Sequence, residues 1–206
     1  MEMVTSQIES RGIKDHEVLE AMRNVKRHEL VPESVQQWAY EDRPLPIGEQ
    51  QTISQPYIVA LMSELLQVQA GEKILEIGTG SGYQAAILAE MRLKVFTIEI
   101  VKSLGLRAQS DLARIGYPDI NVKIGDGYQG WPQEAPFDGI VITAAPPSLP
   151  EPLIAQLKVG GRLVVPVGVA QQDLTVYTKR SDGSMHKETI IPVRFVPMTG
   201  EAQLKR

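Results

Sequence analysis

The run Lys73-Ile74-Leu75-Glu76-Ile77-Gly78-Thr79-Gly80-Ser81-Gly82-Tyr83 constrains this chain more than any other. A short apolar segment, rich in β-branched residues, ends at Glu76 and Ile77 and breaks into glycines at alternate positions. Behind them Gln84 to Glu90 is a run of good helix formers. Strand, glycine turn and helix in that order open a nucleotide-binding α/β domain. The glycines admit positive φ and let the backbone approach a ligand, while the helix N-terminus leaves unpaired N–H donors facing it.

The spacing selects among cofactors. A dinucleotide fingerprint needs Gly-x-Gly-x-x-Gly and an acid about 20 positions on. Here the third glycine comes one position early, at Gly82, and Tyr83 stands where the dinucleotide pattern wants it. No Gly-Lys-Ser/Thr follows, which excludes a P-loop. The pattern Glu76-x-Gly78-x-Gly80-x-Gly82 resembles the first motif of the Rossmann-like S-adenosylmethionine-dependent methyltransferases. A plain tight turn would use the same glycines. The acid and the following helix together make the pattern more specific than a glycine triplet.

The rest of the chain continues the alternation. Lys94 to Glu99 reads as a strand ending in an acid, Ser103 to Ile115 as a helix closed by Gly116-Tyr117-Pro118, and Asn121 to Gly127 as a strand carrying Asp126 near its end. Phe137 to Thr143 is almost continuously apolar, as a strand buried on both faces should be. Pro150 to Leu157 reads as a helix stopped by Val159-Gly160-Gly161, and Arg162 to Gly168 as a strand. This pattern predicts a doubly wound, mostly parallel α/β sheet over residues 69–168, with Glu76, Glu99 and Asp126 at successive strand ends, where ligands bind.

Flanking segments complete one domain. Residues 1–68 are expected to hold two short N-terminal helices, broken at Gly12-Ile13, with Asp15 capping the second and Pro32 stopping it. A polar, proline-broken loop follows over 40–56, and then a helix from Tyr57 to Val68 started by Pro56. In residues 169–206, Leu174 to Lys179 and Glu188 to Val196 flank Ser181-Asp182-Gly183-Ser184 and predict a C-terminal β-hairpin on one sheet edge. Gly200 to Arg206 is expected to fray.

Composition narrows the chemistry. At 206 residues, 43% hydrophobic and 22% charged, the chain can bury a real core. A net charge of −4 argues against a broad phosphate-binding face, so nucleic acid is not an expected partner. There is no cysteine, hence no thiolate nucleophile or disulfide, which fits a cytoplasmic protein. No apolar run reaches the length of a membrane span, and Met1 to Gly12 does not read as a signal peptide. His16, His28 and His186 lack metal-binding or triad spacing and read as cap or surface residues. No metal site or hydrolase triad is expected.

An adenosyl ligand offers two ribose hydroxyls and an adenine edge. Glu99 is placed to accept from both hydroxyls, and Asp126 from the adenine amino group. Methyl transfer from a sulfonium is an in-line displacement that needs alignment and water exclusion more than acid–base power. The segment Glu49 to Pro56 is crowded with amides and hydroxyls. It caps the next helix or it faces the cofactor; local chemistry alone does not separate the two.

Within that segment, Gln51-Thr52-Ile53-Ser54-Gln55-Pro56 resembles the signature loop of the protein-L-isoaspartate (D-aspartate) O-methyltransferases. The similarity extends through Arg27 to Pro32, Glu76 to Tyr83, Gly125-Asp126-Gly127, Phe137 to Val141, Gly160 to Val164 and Val193 to Pro197. One departure is Glu49-Gln50, where a glycine is expected beside Gln51. The resemblance implies S-adenosyl-L-methionine as cofactor, with S-adenosyl-L-homocysteine as product. It further implies methylation of the α-carboxyl of isoaspartyl residues in damaged proteins and peptides, with collapse of the ester to a succinimide and partial return to aspartate.

Carried onto this sequence, Ser54 is the active-site residue, and Thr52, Ile53 and Gln55 are its companions at the substrate. Glu76, Gly78, Thr79, Gly80, Ser81, Gly82, Tyr83, Glu99, Asp126 and Gly127 hold the cofactor. A monomer is expected. The rival expectations are a methyltransferase of the same fold acting on a small molecule or RNA, and a catalytically silent cofactor-binding module.

Overall fold

The computed structural model describes residues 2–204. Near the N-terminus a π-helical turn, Val4–Ile8, and a 3-10 turn, Glu9–Arg11, end at Gly12 in the left-handed region. Helix α1 (His16–Asn24) begins where the Asp15 carboxylate accepts from Glu17 N (2.9 Å) and Val18 N (3.2 Å). It stops before the expected Pro32 boundary, because Val25 is already extended and Arg27–Leu30 forms a separate 3-10 turn. Arg27 explains that turn. Its fully buried guanidinium donates to Ala39 O (2.7 Å) and Arg43 O (3.1 Å). Burial pulls its pKa down to about 10, against the opposing influence of Tyr83, Asp42 and Tyr40, so it keeps its charge at neutral pH.

The expected loop over 40–56 is partly a hairpin. Strands β1 (Leu45–Gly48) and β2 (Gln51–Ile53) pair antiparallel across a two-residue turn at Glu49-Gln50. Leu45, Ile47 and Ile53 are buried, each contributing roughly 1.5–3 kcal/mol of burial. An isolated two-stranded ribbon would be marginal. Docking these side chains on the core holds it. Pro46 and the short strand lengths hid the hairpin from the sequence pattern.

Helix α2 (Pro56–Leu66) follows, with proline in its first turn. The central sheet then forms from β3 (Lys73–Ile77), β4 (Lys94–Glu99), β5 (Asn121–Ile124), β6 (Phe137–Ile142), β7 (Leu157–Gly168), β8 (Gln172–Lys179) and β9 (Met185–Val193). Helices α3 (Tyr83–Glu90), α4 (Lys102–Arg114) and α5 (Glu151–Gln156) make the crossovers. The strand order is β5-β4-β3-β6-β7-β8-β9, parallel from β5 to β7 and antiparallel at β8 and β9. The last two strands are the expected C-terminal addition to one sheet edge. β3 and β6 sit in the middle, and their apolar runs are buried on both faces.

Of the other boundaries that differ from expectation, two bear on the packing. β7 starts at Leu157, running through the glycines expected only to stop α5. The β6–β7 register jumps between Phe137–Leu157 and Gly139–Arg162, so 158–161 form a bulge. A Cβ on Gly161 would lie 2.6 Å from Asp138 O, which is why that position takes no side chain. At the other end, Gly200–Leu204 is a 3-10 helix with Ala202 buried rather than a frayed tail; Lys205 and Arg206 lie outside the described residues.

The turn between β1 and β2 carries two non-glycine residues with positive φ, Glu49 at 52° and Gln50 at 57°. A two-residue turn of this hand favours glycine or asparagine. Glu49 is anchored by Ser103, whose hydroxyl donates to its carboxylate at 2.8 Å; Gln50 is exposed. Gln50→Gly is therefore expected to raise the urea midpoint, with a gain of up to about 1 kcal/mol from relieving the left-handed backbone. A lowered midpoint would show that the side chain does more than occupy the turn.

Candidate active site

A cleft of about 810 Å³, its open mouth included, lies at the carboxyl ends of β3, β4 and β6. This is the expected ligand position in a doubly wound sheet. Its floor is the glycine loop. Gly78 takes φ 99° while its N–H reaches Ile98 O (2.8 Å), and a Cβ there would sit 2.5 Å from Thr143 Oγ1. Thr143 uses that closeness: its hydroxyl donates to Gly78 O at 2.6 Å. Gly82, at φ 84°, begins α3, and a Cβ there would collide with Leu112. The loop therefore turns sharply into a helix N-terminus.

Glu99 ends β4 and bridges this loop to the next helix. Its Oε2 accepts from Gly80 N (2.7 Å) and its Oε1 from Val101 N (2.9 Å). Each oxygen keeps a lone pair for a further donor, and the residue lines the cleft. Glu76, one strand over, is fully buried. Its Oε2 accepts from Thr97 Oγ1 (2.6 Å), and Thr97 bonds in turn to Thr79 Oγ1 (2.6 Å). Its Oε1 has no partner. Burial pushes the Glu76 pKa up to about 8; the Thr97 bond opposes this and the neighbouring Glu99 charge adds to it. The carboxyl is thus mostly protonated at neutral pH.

Ser81 and Tyr83 complete the loop, with Tyr83 N donating to Ser81 Oγ (3.3 Å). Tyr83 is buried among Met22 and Arg27, and desolvation raises its phenol pKa. It is a wall of the cleft as much as a ligand. The Asp126 carboxylate accepts from Tyr128 N (2.9 Å) and Glu201 N (2.7 Å), tying down the C-terminal helix. Gly127, rather than that carboxylate, forms the wall of the cleft.

On the opposite wall stand Gln51, Thr52, Ile53 and Ser54. Neither the Thr52 nor the Ser54 hydroxyl bonds another group among the described residues. Helix α2 receives no side-chain cap from Ser54 or Gln55. Of the two readings of this loop, the structure supports the one that faces the cleft. Gln55 departs from its neighbours: its amide donates to Asp42 Oδ2 at 2.7 Å and it does not line the cleft.

Sequence reasoning missed two further walls. Val196 to Thr199 closes one side, held by Ala145 N to Val196 O and Met198 N to Ala145 O, both 2.8 Å. Gln84 donates to Ser63 Oγ (2.8 Å) and leaves its Oε1 unpartnered at the cleft. A short extended segment after a hairpin carries no periodic signal, and Gln84 reads as an ordinary helical residue. The family resemblance through Val193 to Pro197 marked part of the first segment without assigning it to the site, and nothing marked Gln84.

A parallel sheet whose glycine loop and strand-end acids open on one cleft is the architecture of the class I S-adenosylmethionine-dependent methyltransferases. The comparisons narrow the class. The family model for protein-L-isoaspartate(D-aspartate) O-methyltransferase matches residues 1–203. A protein-L-isoaspartate O-methyltransferase of Gloeobacter violaceus is 56% identical over 201 residues, 97% of this chain and 98% of its own. One from Geobacter metallireducens is 54% identical, over 97% and 93%.

Among solved structures, a protein-L-isoaspartate O-methyltransferase superposes with a TM-score of 0.89 at 28% identity, covering 98% of this chain and 66% of that longer one. A Plasmodium falciparum protein described as a β-aspartate methyltransferase, in complex with S-adenosyl-L-homocysteine, gives 0.83 at 26% identity over 96% of both chains. The chain belongs to the protein-L-isoaspartate(D-aspartate) O-methyltransferase family, whose methyl donor is S-adenosyl-L-methionine. The residues present suit that donor: Glu99 has lone pairs free for ribose hydroxyls, and the orphaned Glu76 and Gln84 oxygens lie buried in the cleft.

Glu76 sets a pH dependence. Its folded pKa is raised from 4.5 to about 8, so between those values the folded state holds a proton the unfolded chain has lost. That contribution is fully present below the unfolded value and lost as pH rises through about 8. Ligand-free Glu76→Gln is expected to gain thermal midpoint on the parent as pH climbs from 5 to about 9. Parallel profiles would contradict the buried, protonated assignment.

Proposed function

We propose that this protein transfers a methyl group from S-adenosyl-L-methionine to the α-carboxylate of L-isoaspartyl residues in damaged polypeptides. The ester then leads through a succinimide back towards aspartate. The observation that carries this reading is the pair of unengaged hydroxyls, Thr52 and Ser54, on the same cleft as Glu99 and the glycine loop.

When bound, the sulfonium donor supplies an electrophilic methyl group. The chain's own residues then bind and align. Glu99 would accept the ribose hydroxyls, and the loop from Gly78 to Gly82 would let the backbone close on the donor. Asp126, next to Gly127 in the cleft wall, keeps a lone pair on each oxygen after its backbone bonds and would accept from the adenine amino group. Thr52 and Ser54 would donate to the acceptor carboxylate and hold it for attack on the donor's methyl group. Such a carboxylate ionises near pH 4 in solution and is already a nucleophile at neutral pH, so no general base is needed. Neutral hydroxyl donors hold it without the charge pairing that would weaken its attack. Ile53 is buried in the core and sets the orientation of the loop.

Ser54→Ala is expected to lower kcat towards an isoaspartyl peptide by roughly ten- to a hundredfold, the usual penalty for a misaligned attack. Calorimetry should find cofactor affinity within about twofold of the parent, because no donor contact is lost. Undiminished turnover would remove Ser54 from the mechanism.

A further inference from the structure

The active-site loop is short, and its hydroxyls make no hydrogen bond among the described residues, so something else must aim them. That support converges on Asp42. Its Oδ2 accepts from Gln55 Nε2 (2.7 Å), beside Ser54 in the chain, and from Arg11 Nη1 (2.6 Å). Its Oδ1 accepts from Tyr57 N (3.2 Å), an otherwise orphan donor in the first turn of α2. The Arg11 guanidinium also stacks on the Tyr57 ring, 3.4 Å from its centroid. Asp42 is itself fixed from below. Arg27, fully buried, holds the carbonyls of Ala39 and Arg43 on either side of it. A helix with no side-chain cap of its own is thus capped by an aspartate fifteen positions upstream, which also grips the residue after Ser54.

We propose that Asp42 is a positioning residue for methyl transfer, acting through Gln55, whose amide is a strut that orients Ser54 rather than a ligand of the substrate. The inference rests on the carboxyl-methylation reading for what Ser54 does. It departs from the sequence expectation for Gln55, because that amide points away from the cleft to a carboxylate. With the strut cut, the turn between β2 and α2 gains freedom, and the hydroxyl spends less time in line. The loss falls on turnover, since neither residue touches the donor's pocket.

The test is a double-mutant cycle on the full chain, assayed for kcat and KM towards an isoaspartyl peptide, cofactor affinity and thermal midpoint. Asp42→Asn and Gln55→Leu should each lower kcat about tenfold and leave cofactor affinity unchanged, and the double variant should be no worse than either single one. Asp42→Asn with Gln55→Glu rebuilds the bond with donor and acceptor exchanged, and should recover part of the lost kcat. Losses that multiply in the double variant would overturn the strut, as would a raised peptide KM with kcat retained in Gln55→Leu. A lowered thermal midpoint with kcat intact would reduce Asp42 to a structural residue.

Should Asp42→Asn not fold, Gln55→Leu decides alone by its kcat against its KM. The parent enzyme is assayed first, so failure to methylate the peptide falls on the proposed function. The strut is then read without activity: exchange of the Tyr57 amide, which Asp42 holds, should quicken in ligand-free Gln55→Leu, and unchanged exchange overturns it.

Discussion

The Glu99 carboxylate joins two chain reversals that would otherwise be independent. By accepting from Gly80 N and Val101 N it ties the loop after β3 to the start of α4. Hydrogen bonds to an ionised acceptor are about twice as strong as neutral ones. Both reversals are therefore held in one shape at the edge of the cleft. The same carboxylate retains lone pairs turned to that cleft. One residue thus shapes the cleft and lines it. The parallel order of β4, β3 and β6 brings the strand ends together, and Gly78 allows Thr143 to clasp the loop from the third of them.

The second half of the site is assembled on different terms. The β1–β2 hairpin is too small to be stable alone, and it depends on Leu45, Ile47 and Ile53 reaching the core. Arg107 and Ser103 of α4 reach its tip, bonding Ile47 O and the Glu49 carboxylate. The wall that carries Thr52 and Ser54 is thus fastened to the helix that follows Glu99, which couples the two walls mechanically. Such an arrangement suits an in-line displacement, where geometry outweighs acid–base strength.

The α/β centre was legible in the sequence because a strand buried on both faces leaves a continuous apolar run. β3 and β4 begin and end where the residues predict. Asp15 was legible as a cap for the same kind of reason, a local bond between near neighbours. What stayed hidden depends on long-range partners. Arg27 ends α1 early through carbonyls far along the chain, and Asp42 caps α2 from fifteen positions away. Of the strands flanking Glu49-Gln50, β1 spans four residues and carries Pro46, and β2 spans only three, so neither is long enough for alternation to mark it. In the site, the glycine loop, Glu99, Thr52 and Ser54 were readable from motif and chemistry. Val196 to Thr199, Gln84 and the true direction of Gln55 were not, since each acquires its role only from tertiary packing.

The central claim is that one cleft presents a methyl donor to an isoaspartyl carboxylate. Its most direct measurement is transfer of label from the methyl group of S-adenosyl-L-methionine to a peptide carrying one isoaspartyl residue, beside its aspartyl twin. The account predicts label on the isoaspartyl peptide alone, released as methanol at alkaline pH. Donor binding with label on neither peptide, or equal label on both, would contradict it.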